Sequence, residues 1–190
     1  MVHMAAGALG VLQPHFAPDK TTIAKEYYVS HVLGAHVIPR ARAVVASQEG
    51  PAAKWTWMQD LASPHTARHT MDFLKRERVS VLPWFPKGAD VNPLDVFVWG
   101  SVGKRLKALP PGARDTQAKL RVALAQVIDE AMSGEIWVGR VKKCCNGVKR
   151  RLEWVLVHDG EEIKGEKWRK ETFEEGWAGR VKNALKQKKL

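Results

Sequence analysis

The chain has 190 residues and a mass of 21.3 kDa, enough for one domain with a sizeable core. Its 45% hydrophobic and 27% charged residues indicate a globular chain, and no run of 18 apolar residues exists, which excludes a membrane-spanning helix. The net charge is +11 and is uneven: residues 1–99 carry 10 Lys/Arg against 8 Asp/Glu, and residues 100–190 carry 21 against 12. Such a C-terminal half favours polyanionic partners, since neutralising phosphates is the sequence-independent route to nucleic-acid binding; a soluble, charged helical surface is the plainer alternative. The only cysteines, Cys144 and Cys145, are adjacent, which excludes a disulfide framework and suits a reducing compartment. No secretory signal is visible at the N-terminus.

In chain order, residues 1–16 predict two short strands around the turn Gly7 to Gly10. A helix is predicted over Ile23 to Val37, with Pro39 breaking or bending it and Arg40 to Ala46 as its continuation. His31 and His36 read as helix-face residues. The apolar run 54–59 (KWTWMQ) predicts a buried strand, then Thr66 to about Glu77 a helix, Val79 to Leu82 a strand and Pro83 to Gly88 a rigid loop. In that loop Trp84 either packs the turn or offers a face for base stacking. Asn92 is placed to cap a helix from Pro93 to Leu109, whose Leu94, Phe97, Val98, Val102 and Leu106 form an inner face. A further helix starts at Asp115 or Thr116 and ends near Ser133-Gly134, and another runs from Glu135 to about Cys145. Residues 148–165 open on Lys149-Arg150-Arg151 and turn at Asp159-Gly160. The tail, 166–190, reads as an amphipathic helix or a solvated extension, its KNALKQKKL end a nucleic-acid contact or a localisation signal.

Two acids stand out. Asp60 follows the strand at 54–59, so its carboxylate emerges at the strand's carboxyl end, a usual position for active-site groups in α/β sheets. Asp95 lies 34 intervening residues later, in the first turn of the helix after Asn92-Pro93. Converging carboxylates are what a hard cation such as magnesium takes, whereas taken singly Asp60 reads first as a turn cap and Asp95 as a complement to the helix dipole, since capping carboxylates are common. His65 either orients the Asp60 carboxylate, touches a phosphate, or donates a hydrogen bond at a helix start. Lys104, Arg105 and Lys107 follow Asp95 on its helix, in position to hold a phosphate backbone.

QDLASPHTA (59–67) and LPWFPKGADVNPLD (82–95) resemble two signatures of the mariner-like DDE/D transposases, "QDNAPCHTA" and "LPWPPYSPDLNPID", in the family's order and spacing. The resemblance extends through Trp99 and GKRLK (103–107), back through EYYVSHVLGAHVIPRAR (26–42), and forward to VKRRLEWVLVHDGEEIKG (148–165), covering roughly residues 1–165. An aspartate at position 95 resembles the mariner branch. Leu61, Ser63-Pro64 and Gly88-Ala89 depart from the family's wording.

The resemblance implies an α/β, RNase H-like mixed sheet flanked by helices and lacking its first strand. The implied divisions are a partial catalytic core over 1–110, C-terminal helices of the same domain over 111–165 and a basic tail over 166–190. The implied chemistry is DNA cleavage and joining by in-line attack on a phosphodiester at a pair of Mg2+ or Mn2+ ions, with Asp60 and Asp95 each anchoring one. In the family the first catalytic Asp lies on a strand that would fall upstream of Met1, so weak or no activity is expected of the chain alone. Lys104, Arg105, Lys107, Lys149, Arg150, Arg151 and His65 are the expected nucleic-acid contacts. DNA is the expected partner, a homodimer the expected assembly and the nucleus the expected compartment, or the cytoplasm for a non-functional product. The competing reading is a non-catalytic nucleic-acid-binding protein derived from a transposon, with its basic C-terminal half as the binding element.

Overall fold

The computed structural model describes residues 1–165 and 167–188. Its first element is a long hairpin in two ladders. Strands β1 (Val2–His3) and β4 (His15–Phe16) pair antiparallel, and β2 (Ala6–Gly7) pairs with β3 (Gly10–Val11) across a two-residue turn. Gly10 permits that turn with φ of 149°. The alternation of strand side chains sets the layers: Met4 and Ala5 are neighbours in sequence but point into different cores. Met4 packs with Val98, Val102, Ile128 and Val141, whereas Ala5 packs with Tyr28, Val32, Leu33 and Leu74.

The second of these cores is built by one continuous helical rod. It comprises α1 (Lys25–Tyr27), a wider-wound π segment (Tyr28–Val37) and α2 (Ile38–Glu49). The sequence predicts a break or bend at Pro39, and the chain instead passes through it. Ile38 N–H reaches back five residues to Leu33 O, and the Arg40 guanidinium donates to Ala35 O at 3.4 Å and His36 O at 3.1 Å. Ala35 O is the carbonyl that Pro39, lacking an N–H, cannot serve. Leu33 and Ile38, 0% and 1% exposed, are buried on this rod, each contributing about 1.5–3 kcal/mol relative to exposure.

Next come β5 (Thr56–Trp57), a short α3 (Ser63–Thr66), α4 (Arg68–Arg76) and β6 (Ser80–Val81), which pairs parallel with β5. Arg42 ties α2 to the end of α4 through Glu77 Oε2 at 2.8 Å. The strand predicted as buried over 54–59 is shorter and more open: Thr56 is exposed and Trp55 and Trp57 are half-buried. The cause lies beside it. Among the described residues β5 has a strand partner on one edge only, as does β1, so the sheet consists of three separate two-stranded pieces.

The opposite layer is helical. The π-wound turn Leu94–Val98 leads into α5 (Trp99–Ala108), followed by α6 (Gln117–Ser133), capped by Thr116 Oγ1 accepting from Lys119 N–H, and α7 (Glu135–Asn146). Arg121 on α6 donates to the Ala17 and Phe16 carbonyls, fastening the hairpin to this layer. The chain then forms α8 (Val148–Val157), α9 (Lys167–Thr172) and α10 (Trp177–Gln187), which share a small core of Trp154, Trp168 and Trp177. The tail read as a helix or a solvated extension is thus two helices packed on α8, with Glu166, Lys189 and Leu190 outside the described residues. Asp90 Oδ2 accepts from Ile163 N–H at 2.6 Å and joins the segment after α8 to the Pro83–Gly88 loop.

Candidate active site

The chain leaves β5 through Gln59 and Asp60 and turns at once into α3. Asp60 Oδ1 makes that turn, accepting from Ala62 N–H at 2.9 Å and lying 2.6 Å from His65 Nδ1. The turn-capping alternative and the carboxylate-orienting role of His65 are therefore realised together on one oxygen. Asp60 Oδ2 makes no hydrogen bond among the described residues. His65 is held in turn: its ring lies 4.4 Å from that of Tyr28, and its carbonyl accepts from Gln59 Nε2 at 3.0 Å. Gln59 Oε1 receives both Tyr28 Oη at 3.0 Å and Trp57 Nε1 at 2.9 Å. Burial, followed by the Asp60 charge, pushes the Tyr28 hydroxyl well above its ordinary value, so it stays a donor.

Asp95 arrives from the other layer. Asn92 Oδ1 accepts from Leu94 N–H at 3.1 Å, as the sequence predicts for a cap, and Asn92 Nδ2 donates to Asp95 Oδ2 at 2.8 Å. Asp95 Oδ1 is uncommitted among the described residues. The Asp95 carboxyl is raised above its usual range, first by desolvation and then by the Asp60 charge, against the lowering effect of Asn92. The two acids feel each other across a cleft of 300 Å³ whose walls include both of them, His3 and His65.

The donor set fits a hard divalent cation. Each acid offers one free carboxylate oxygen and keeps its other oxygen fixed by the protein, and the cleft has room for the waters that magnesium retains. Among the described residues no group of three or more His, Cys, Asp or Glu side chains gathers to hold a metal, and Asp60 and Asp95 are the acids lining the cleft.

The cleft continues into a second cavity of 620 Å³ between the Ala5–Leu12 arm of the hairpin and the Ala53–Trp57 segment, floored by Val44 and Val45 of α2. The 300 Å³ cleft itself is lined by Val2 and His3 of β1 and by Thr56 and Trp57 of β5. His3, which sequence reasoning missed, lies in this cleft with a buried Nε2 that has no partner among the described residues, and burial lowers its pKa to about 4. A histidine alternating with apolar residues at 2–5 was the only signal for it.

The other expected contacts divide. Lys104, Arg105 and Lys107 are exposed on α5 and do not line the cleft. Lys149 is exposed and lies 3.6 Å from Glu153. Arg150 lies against the Phe173 ring, and Arg151 is buried beneath α7. His31 stacks on Tyr27, His36 contacts Gln13 O at 2.6 Å, and Trp84 packs over Gly88 within its loop.

No protein-family model matches the chain. The Tcb1 transposase of a Caenorhabditis briggsae transposable element is 32% identical over 69 residues, which is 36% of this chain and 23% of that protein. The catalytic domain of the Mos1 mariner transposase superposes with a TM-score of 0.67 at 17% identity, covering 86% of this chain and 75% of that one. The chain is similar to mariner/Tc1 transposases in sequence and in fold. The Mos1 paired-end complex with Mn gives a TM-score of 0.66 at 18% identity, with 86% of this chain and 44% of that one covered. Another Mos1 catalytic-domain structure similar to this chain contains Mg. The fold class is therefore α/β and RNase H-like, as the family resemblance implies, while the matched stretch spans under a quarter of the Tcb1 transposase.

Proposed function

We propose that this chain is part of the catalytic core of a mariner-like DNA transposase, with Asp60 and Asp95 as two of its acids, and that it is weakly active or inactive alone. The observation that carries this reading is the convergence of the two acids, from a strand end and a helix start, on one cleft with one free oxygen each. The chemistry a divalent cation supplies when bound is charge stabilisation and activation of the attacking oxygen in phosphodiester cleavage and strand transfer. The chain's own residues do the positioning. His65 and the Ala62 amide fix one oxygen of Asp60, Asn92 fixes one of Asp95, and the Tyr28–Gln59 bridge keeps His65 in place.

A third acid has a place to come from. The cleft lined by β1 and β5 separates two strands that each have a partner on one edge only among the described residues, so an extended segment laid along it would pass beside Asp60 and Asp95. The partner on this reading is transposon DNA, as in the Mos1 paired-end complexes, with a homodimer as the assembly and the nucleus as the compartment.

The test is nicking of supercoiled DNA by the purified chain in Mg2+ or Mn2+, with and without an added apolar strand peptide ending in Asp. Little nicking alone and a gain with the peptide, lost in Asp60→Asn and Asp95→Asn, is expected. Robust nicking by the chain alone that both substitutions abolish would overturn the incomplete-site reading. The excess of cations in the C-terminal half favours the second reading, a non-catalytic nucleic-acid-binding protein. DNA binding without nicking under either condition supports that reading.

A further inference from the structure

A groove of 740 Å³ lies between α7, α8 and α9, and its walls carry Arg140, Lys143, Arg150, Arg151 and Arg169, with no acid lining it among the described residues. We propose that this groove is a metal-independent binding site for an unpaired nucleic-acid strand. The proposal rests on the reading of the chain as a nucleic-acid-handling protein and names the form of nucleic acid this face takes.

Arg151 carries the first step of the argument. It is 4% exposed, more than nine-tenths buried, and its guanidinium donates to Cys144 O at 2.9 Å and contacts Cys144 Sγ at 3.5 Å, over the Trp168 ring at 4.9 Å. No carboxylate pairs with it among the described residues. A buried cation without an acidic partner is costly unless an anion reaches it, and the groove is the route by which one can.

Three acids in and beside the neighbouring helices are engaged by other partners. Glu171 is engaged by Trp154 Nε1 and His158, Glu153 by Lys149 and Trp177 Nε1, and Asp159 by Lys188. Arg140 and Lys143 are exposed on α7 and make no ion pair among the described residues. Among the described residues no carboxylate pairs with Arg140, Lys143, Arg150 or Arg151, so these four cations leave the groove wall positively charged.

The form of the polyanion follows from Phe173. This ring is 71% exposed, an unusual state for phenylalanine, with the Arg150 guanidinium 3.6 Å from its centroid. One face is a cation–aromatic stack and the other is free for a base. Exposed aromatic faces beside backbone-tracking cations are what unpaired strands use, because every base has a π-face, whereas duplex bases are already stacked on one another. The wall opposite includes Val96 and Phe97, the two residues after Asp95, so the groove and the acid share one helical turn.

The experiment is fluorescence anisotropy of the full chain with a labelled oligothymidylate of roughly 12 nucleotides, within the span such grooves cover, and a duplex of equal length, both in EDTA. The single strand is expected to bind more tightly than the duplex. Phe173→Ala should weaken single-strand binding roughly 5- to 150-fold, Phe173→Trp should restore it, and duplex binding should change little. Lys143→Gln and Arg140→Gln should each lower the steepness of the salt dependence by about 0.7 in log–log slope. These three positions are exposed, and circular dichroism checks that the variants fold. Equal affinity for the two forms with no effect of Phe173→Ala would overturn the proposal, as would an unchanged salt slope in the two α7 variants. Because EDTA removes any metal, failure here leaves the reading of Asp60 and Asp95 standing. Failure of nicking, conversely, leaves the groove standing.

Discussion

Replacing Gly88 by alanine tests how the loop ahead of Asp95 is built. A Cβ at this position would lie 2.8 Å from Trp84 Cζ2, 2.9 Å from Cε2 and 3.0 Å from Nε1. Carbon atoms normally meet at about 3.5–4.0 Å. The obstacle is a rigid indole backed by Phe85, 5.1 Å between centroids, so it cannot yield as a flexible chain end would. Overpacking of this kind costs about 1–3 kcal/mol. Gly88 does not use a positive φ, so alanine also recovers about 0.4–1 kcal/mol through the unfolded state. The net expectation is a loss of about 1–2 kcal/mol, a fall in Tm of roughly 2–8 °C for a chain of this size. Gly100, exposed in α5 with nothing within 4 Å of its Cβ direction, supplies the opposite case. Gly100→Ala should gain about 1 kcal/mol in helix propensity and raise Tm by about 2–4 °C. Thermal unfolding followed by circular dichroism reads both. A Gly88→Ala protein as stable as the parent, alongside a stabilised Gly100→Ala, would refute the packing argument. The loop matters to the site because Val91 and Asn92 both donate to Gly88 O at 3.1 Å, and Asn92 holds Asp95.

His65→Ala should weaken Mn2+ binding, read by electron paramagnetic resonance, about 10–100-fold, since residues that orient a metal-binding carboxylate carry effects of that size; unchanged binding would remove His65 from the site. Asp95→Asn should raise Tm at neutral pH. The folded pKa of Asp95 lies above its unfolded value, so its ionisation costs stability as pH rises through that interval, and the advantage of the variant should shrink as pH falls back through it. A variant whose advantage grew toward acid pH would contradict that sign. His3 binds its proton less readily folded than unfolded, at about 4 against 6.5, so the chain should lose stability as pH falls from 6.5 to 4. His3→Phe should flatten that limb and, by removing a buried unpartnered nitrogen, stabilise the protein by about 1–2 kcal/mol at pH 7. An equally steep acid limb in this variant would assign the loss to other groups.

Much of the site was legible because its signals are local. Asn92-Pro93 fixes a helix start wherever it occurs in this setting, and Asp95 follows within one turn, so cap, helix and acid are read from four residues. Thr116 capping α6, and the turn whose Asp159 and Gly160 take positive φ, are of the same kind. What was not legible depended on distant partners. The rod through Pro39 survives because Arg40 serves the carbonyl that proline strands, a compensation that propensity does not contain. Lys149, Arg150 and Arg151 are one basic cluster in sequence, but successive helical residues point about 100° apart, so one meets Glu153, one stacks on Phe173 and one is buried.

Gly88 shows the same limit at a single residue, and with it the reason the acids meet where they do. In a Lys-Gly turn the glycine is the expected bearer of a left-handed backbone. Here Lys87 takes the positive φ, 62°, and Gly88 is kept for its lack of a side chain, because Trp84 lies across it. The loop around Gly88 places Asp90 on Ile163 and Asn92 on Asp95, while the β5 end places Asp60 on His65. Each acid is fixed by its own local frame rather than by the other. The geometry of the pair therefore does not depend on β1 and β5 being joined in one sheet.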